Sequence, residues 1–321
     1  MKLIGITMGD PAGVGPEIIL KALDEKKNLR EKSVVFGSYK VLNYYKALLK
    51  TDTSIKVINN LNEFEKEVIN VINVIDLNID EFKIGEMSAL CGDAAYRYIE
   101  KAIEAAQKGE IKAVATAPLN KEALHLGGHN FAGHTEIFAT LTDTKKYAMM
   151  LTNEDFRVIH VCTHVSLREA CDRAKKERVL DVINLANDTL KKMGVKSPRI
   201  AVAGLNPHAG ENGLFGREEI EEIIPAVNEA AELGINVEGP IAPDTVFLKA
   251  YRGQYDVVVA MYHDQGHIPM KMLAFDTGVN MTVGLPIVRT SVDHGTAFDI
   301  AGKGIAKGES MIEALKVAEL F

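Results

Sequence analysis

The chain is poor in cysteine. Its three thiols, Cys91, Cys162 and Cys171, are odd in number and have no Cys-x-x-Cys spacing. They read as reduced, mostly buried thiols of a cytoplasmic protein, not as a disulfide framework. Positive charge is also short: 37 Lys and Arg stand against 44 Asp and Glu, a net charge of −7. That balance argues against a nucleic-acid partner or a membrane surface. An acidic protein that handles anions must gather its positive charge locally, so single Lys, Arg and metal sites carry weight. No apolar run approaches the ~18 residues of a membrane span, and the one behind the first residues is too short for a secretory signal. No internal repeat, low-complexity tract or Gly/Ser linker appears.

What remains is ordinary globular composition, with 47% hydrophobic and 25% charged residues in 321. The length suits two lobes at about 100–200 residues per domain. The runs LIGIT, SVVFG, VINVID, KAVATA, FRVIHV, RIAVAG and YDVVVAMY read as strands covered on both faces. Between them lie amphipathic helices. One has an apolar face of Leu90, Ala94, Ala95, Tyr98, Ile99, Ala102, Ile103 and Ala106, with Gly109 as its stop. Another uses Val179, Val182, Ile183, Ala186 and Leu190 and ends at Gly194. In GREEIEEIIPAVNEAAELG, Pro225 is expected to kink or split a third. Alternating β and α elements predict an α/β fold with a mainly parallel sheet.

MGDPAGVGPEI, directly behind the first strand, has the look of a phosphate loop but lacks what one needs. No Gly-Lys-Ser/Thr is present, and Ile18 stands where the dinucleotide fingerprint wants glycine. Local physics favours a structural turn with Gly15 as helix cap, Pro16 in the first helical position and Glu17 at the positive helix end.

Ligands of parallel α/β sheets bind beyond the carboxyl ends of strands. Three of the expected strands end in a histidine: His164 after FRVIHV, His208 after RIAVAG and His263 after YDVVVAMY, out of nine in the chain. Any one of them is explained by a backbone hydrogen bond. Three at one kind of position favour a divalent metal, for which neutral imidazole is a good ligand. Asp244 is a further ligand, an orienting group or simply a helix cap. A second group is directed at anions. His134 and Thr135 come after glycines at a helix start, and Lys271, Asn280 and Arg289 lie in a segment with few other charges. Ordinary surface charge is the competing explanation for each Lys or Arg.

TMGDPAGVGPEI, TAPLNK, GHTE, THVSL, LNPHAGENGLFGREE, APDT, YHDQG, GVNMTVGLP and RTSVDHGTAFDIAGKG together resemble, in order, the 4-hydroxythreonine-4-phosphate dehydrogenase (PdxA) family, over nearly the whole chain. The resemblance implies two α/β/α lobes with a cleft between them, as in isocitrate and isopropylmalate dehydrogenases. One lobe is expected over 1–125 plus 275–321 and the other over 126–274, the latter carrying metal ligands and dimer contacts. MGDPAGVGPEI is then expected at the cleft rim near the cofactor, its glycines allowing close backbone approach.

The resemblance also implies a homodimeric NAD- or NADP-dependent oxidative decarboxylase that needs a divalent metal (Zn, Mg, Mn or Co). It makes His164, His208 and His263 metal ligands drawn from both subunits, and His134, Thr135, Lys271, Asn280 and Arg289 substrate-binding residues. Lys271, Asp244 or a metal-bound water is the general base, and no residue is assigned to the nicotinamide cofactor. Two traits, HDQGHIPMK with His267 and GENGLFG, resemble a branch that oxidises D-threonate or D-erythronate 4-phosphate to dihydroxyacetone phosphate and CO2, in place of 4-hydroxy-L-threonine 4-phosphate of vitamin B6 synthesis. A neutral loop variation is the alternative for His267. Two other functions stay open on the same scaffold: a non-catalytic phospho-ligand-binding protein and an NAD-independent metal lyase.

Overall fold

The computed structural model describes residues 2–275 and 277–321. The chain forms two compact units, Met1–Lys145 with Leu285–Glu319, and Lys146–Gly284. The sequence reading set the change-overs at 125/126 and 274/275. As observed, His134 and Thr135 belong to the first unit and Asn280 to the second. The α/β class and the two-lobed organisation are those expected. Among the described residues, no helix is long and apolar enough to cross a membrane.

The first unit holds strands β1 (Leu3–Thr7), β2 (Ser33–Gly37), β3 (Ile55–Val57), β4 (Ile69–Asn73), β5 (Ile111–Thr116) and β12 (Val288–Val292). They run in the order β3-β4-β2-β1-β5-β12, and every neighbouring pair is parallel. β1 and β2 are buried along their whole length, which is why they read as continuous apolar runs. Helix Ala89–Gln107 buries Ala94, Ala95, Tyr98, Ile99, Ala102 and Ile103, while Leu90, at its exposed first turn, stays outside the core. Gly109, at φ +69°, takes the left-handed conformation just past its end.

The second unit holds β6 (Ala148–Asn153), β7 (Phe156–His160), β8 (Ile200–Ala203), β9 (Val237–Ile241), β10 (Val257–Ala260) and β11 (Val279–Val283), in the order β11-β6-β7-β10-β8-β9. β7, β10, β8 and β9 are parallel to one another, whereas β6 is antiparallel to both of its neighbours. Leu151, Val158, Ala201 and Val258 pack against Val246 and Met270. The third helix is not split at Pro225: its backbone stays helical, and the hydrogen-bond pattern changes there. A π-helical turn, Glu219–Ile223, runs into the α-helix Ile224–Glu232, and Pro225 stands in the first turn of the latter.

The opening loop is a buried turn, as its local sequence favours, with a different residue at the helix start. Residues 8–20 are all buried inside the first unit, and Val14, not Gly15, precedes helix Gly15–Glu25. A Cβ on Gly9 would lie 2.3 Å from the Pro118 carbonyl oxygen, and one on Gly15 2.2 Å from that of Met8. The glycines admit the chain's own backbone, so this loop is not an exposed cofactor cradle.

Candidate active site

In the second unit, β7, β10 and β8 are adjacent and parallel, so their carboxyl ends lie along one side of the sheet. His164 comes after the first, His263 after the second and His208 after the third. The rings of His164 and His263 are 5.8 Å apart, centre to centre. His263 Nδ1 lies 2.6 Å from Asp264 Oδ1. A carboxylate there accepts the Nδ1 proton and leaves Nε2 as the lone-pair nitrogen, the usual support for a metal-binding histidine. Sequence reasoning missed Asp264, although an acid directly after a candidate ligand was a usable signal.

His208 faces elsewhere. Its ring centre is 6.2 Å from that of Phe215, and it lines a recess of about 290 Å3 with Leu205, Pro207, Pro243, Asp244 and Tyr262. Asp244 is exposed and sits in the first turn of helix Pro243–Tyr251, which Ala242 precedes, so it is not that helix's cap. Among the described residues, no group of three or more His, Cys, Asp or Glu is gathered closely enough in one chain to hold a metal ion.

The loop carrying His208 is built unusually. His208, Ala209, Gly210, Glu211, Asn212 and Gly213 all have positive φ, from +43° to +93°. For side chains other than glycine this region is costly, and such runs persist only where the surroundings hold them. The buried carboxylate of Glu219, from the π-helical turn, does that holding. It accepts the N–H groups of Leu205 at 2.8 Å and Asn206 at 2.7 Å, and the side-chain amide of Asn206 at 2.9 Å. Gly210 is required here, because a Cβ would stand 2.6 Å from Glu219 Oε2. Neither the left-handed run nor the role of Glu219 was foreseen from sequence.

Helix His263–Ala274 starts the same way, by pinning. Gln265 is buried; its Oε1 accepts from Met261 N at 2.6 Å and its Nε2 donates to the Gly204 carbonyl at 2.7 Å, tying the ends of β10 and β8 together. Further along, Lys271 Nζ is 5.3 Å from the centre of the Phe275 ring. Asn280, on β11, has a buried Oδ1 without a hydrogen-bond partner.

In the first unit, Arg289 lies on β12 beside β5, is buried, and donates from Nη2 to Thr116 Oγ1 at 3.0 Å. Its guanidinium carbon is 5.8 Å from the Phe138 ring centre. Burial lowers its pKa to about 9, so the cation persists at neutral pH at a desolvation cost that an anion would offset. His134 opens helix His134–Leu141, with Thr135 next in line. Its Nε2 is sealed from solvent and has no hydrogen-bond partner. Burial, and secondarily the Arg289 charge, hold its ring well below the usual imidazole range, against a bond to the Ala117 backbone that favours the charged form. Asn120, after β5, caps helix Lys121–Leu126 through its side chain.

Comparison with known proteins gives this geometry a context. The sequence profile described as "Pyridoxal phosphate biosynthetic protein PdxA" matches residues 30–318. A D-threonate 4-phosphate dehydrogenase of Salmonella typhimurium is 52% identical over 320 residues, covering 99% of this chain and 98% of its own. The crystal structure of a 4-hydroxythreonine-4-phosphate dehydrogenase from Klebsiella pneumoniae superposes with a TM-score of 0.92 at 50% identity, covering 99% of each chain. One from Burkholderia phymatum gives 0.90 at 50% identity, covering 100% of this chain and 98% of its own. With a family profile that spans most of its length and relatives this similar, the chain belongs to the PdxA family.

Proposed function

We propose that this protein is an NAD(P)-dependent and divalent-metal-dependent dehydrogenase that oxidises and decarboxylates a 4-phosphorylated hydroxy acid. The observation that carries this reading is a pair of orphaned polar atoms. His134 Nε2 and Asn280 Oδ1 are buried without partners, and both belong to residues that the family resemblance gives to the substrate. A buried polar atom left unpaired costs about 1–3 kcal/mol, and a substrate group bonded to either residue would relieve that cost. The name of the Salmonella relative, together with His267 and the GENGLFG loop, favours D-threonate or D-erythronate 4-phosphate over 4-hydroxy-L-threonine 4-phosphate.

The chemistry of the second unit's donors suits a divalent metal, although one chain brings together only His164 and His263 of the three candidate histidines. Imidazole nitrogens suit Zn, Co and related ions, and His263 presents Nε2 with Nδ1 already engaged by Asp264. His164, His208 and His263 are assigned to one ion, with the set completed between two subunits. Exposed apolar side chains near these residues support a subunit contact: Ile268, Met272 and Phe275, and beside His208, Leu214 and Phe215. When bound, the ion supplies Lewis acidity at the substrate's oxygen atoms. The nicotinamide cofactor supplies the hydride acceptor. Arg289 and His134 bind the anionic groups of the substrate, Thr135 and Asn280 complete its hydrogen bonds, and Lys271 and Asp244 are the groups that take and return protons.

The test is kinetic. Reduction of NAD+ and of NADP+ is measured with D-threonate 4-phosphate, D-erythronate 4-phosphate and 4-hydroxy-L-threonine 4-phosphate side by side, before and after chelation. Turnover that stops on chelation and returns with Zn2+, Mn2+, Co2+ or Mg2+ is expected. Turnover without metal, or full activity of His208→Ala, overturns the three-histidine assignment. Product formation without any saturable NAD effect identifies a lyase instead.

A further inference from the structure

One histidine group in the second unit is not used by the reaction as proposed. His267 lies one helical turn after His263, on the same face. The two rings are stacked, with centres 3.6 Å apart and planes 12° from parallel. His267 Nδ1 is 3.0 Å from the His263 carbonyl oxygen and 3.2 Å from Nε2 of His160, the buried last residue of β7. His160 Nδ1 in turn is 3.3 Å from the Met149 carbonyl on β6.

These contacts bear on where the protons of the group lie. Carbonyl oxygens only accept, so His267 carries its proton on Nδ1 and His160 carries one on its own Nδ1. A His160 ring that carries its one proton on Nδ1 presents Nε2 as an acceptor to the same His267 N–H, which the His263 carbonyl shares. The chain Met149–His160–His267 therefore holds the His267 ring in one orientation with one tautomer. Room for it depends on Gly266, since a Cβ there would stand 2.3 Å from His160 Nε2.

We infer that His267 is a positioning residue for His263: stacked on one face and anchored through His160, it fixes the plane of the imidazole while Asp264 fixes its Nδ1, so that Nε2 points in a single direction. The inference rests on the metal reading of His263 given above. It assigns His267 no contact with the metal or the substrate. Its effect is to reduce the ordering that His263 must undergo when an ion binds.

The test is titration of Co2+ alone into metal-free, full-length protein by calorimetry, with thermal unfolding in chelator as a folding check. His267→Ala, which removes stack and donor, is expected to weaken Co2+ binding by roughly 10–100-fold. His267→Phe keeps a ring, His267→Asn keeps a donor near Nδ1, and each is expected to fall between wild type and Ala. If His267→Ala fails to fold, the Phe and Asn variants carry the test. Two-bond 1H–15N correlation spectra report the His263 tautomer and are expected to show one form in wild type and a mixture in His267→Ala. Wild-type Co2+ affinity in the folded His267 variants, with binding abolished in His263→Ala, overturns the positioning role and leaves the metal reading intact. Wild-type affinity in His263→Ala overturns the metal reading and the positioning role with it.

Discussion

Glu219 grips Asn206 twice: one carboxylate oxygen accepts its backbone N–H at 2.7 Å and the other its side-chain amide at 2.9 Å. Two residues later the left-handed run begins at His208. Glu219→Ala leaves the N–H groups of Leu205 and Asn206 without an acceptor, takes one of two carboxylates from the Asn206 side-chain amide, and removes what holds the strained turn. A loss of ~3 kcal/mol or more in unfolding free energy is expected. Glu219→Gln keeps an acceptor oxygen and is expected to lose only about 1–2 kcal/mol. Urea unfolding of the three proteins checks this, and equal losses for Gln and Ala would show that the charge, not the acceptor geometry, matters.

Asp10 gives a pH dependence of definite sign. It is buried in the opening loop; Oδ1 accepts Ala12 N at 2.9 Å and Oδ2 has no partner. Burial pushes its carboxyl up to about 6 from 3.8, against the opposing effect of the Ala12 bond. Between these values the folded chain holds a proton that the unfolded chain has released. Asp10 therefore makes stability fall as pH rises through the window, and above it the penalty is complete at ~3 kcal/mol. Asn offers the same acceptor to Ala12 without ionising. Asp10→Asn is expected to be more stable than wild type by up to this amount at pH 7 and equal to it near pH 3. Denaturant unfolding at both values decides, and no difference at pH 7 would mean that the ionised carboxylate is accommodated.

How far the sequence could be read depended on what kind of interaction shaped each part. β7, β8 and β10 were legible because strands buried on both faces are spelled out in Val, Ile and Ala. The histidines after them were legible for the same reason, since the end of a strand fixes where the next few residues lie. β11 and β12 passed unread because Asn280, Thr282, Arg289 and Ser291 break the apolar run, each in a place set by tertiary contact. The left-handed run at His208 has glycine at only two of its six positions, so no local propensity announces it. Its cause is a carboxylate more than ten residues away, which no window on the chain includes. The glycines of MGDPAGVGPEI were visible, but whether they make room for a ligand or for the Met8 and Pro118 carbonyls is a three-dimensional question.

Arg289 should separate binding from catalysis. The guanidinium is buried, donates to Thr116 and lies near the Phe138 ring, all inside the first unit. Lysine offers a point charge on a different stem and cannot bind an anion with two parallel N–H groups. Arg289→Lys is expected to raise KM for the phosphorylated substrate roughly 10–100-fold, the value of a charged hydrogen bond, with a smaller change in kcat. Inhibition by inorganic phosphate should weaken in parallel. A fall in kcat at unchanged KM would place Arg289 in the chemical step rather than in anion binding.

Gly266 offers a prediction in which the ordinary sign is reversed. Replacing glycine by alanine inside a helix usually stabilises a protein by about 1 kcal/mol. Here the new methyl would stand 2.3 Å from His160 Nε2 and 2.6 Å from Val158 Cγ1, both on β7, which packs closely against helix His263–Ala274. Neither neighbour can yield easily, since Val158 is a core residue and His160 is held by Met149 and His267. Gly266→Ala is therefore expected to cost about 1–3 kcal/mol, the range of an overpacked core. It should also pull His267 away from His160 and weaken Co2+ binding in the same direction as His267→Ala. Thermal unfolding and Co2+ titration of the one variant test both statements. A more stable Gly266→Ala protein would show that helix and strand separate readily, and the close approach that orders the histidine group would lose its energetic basis.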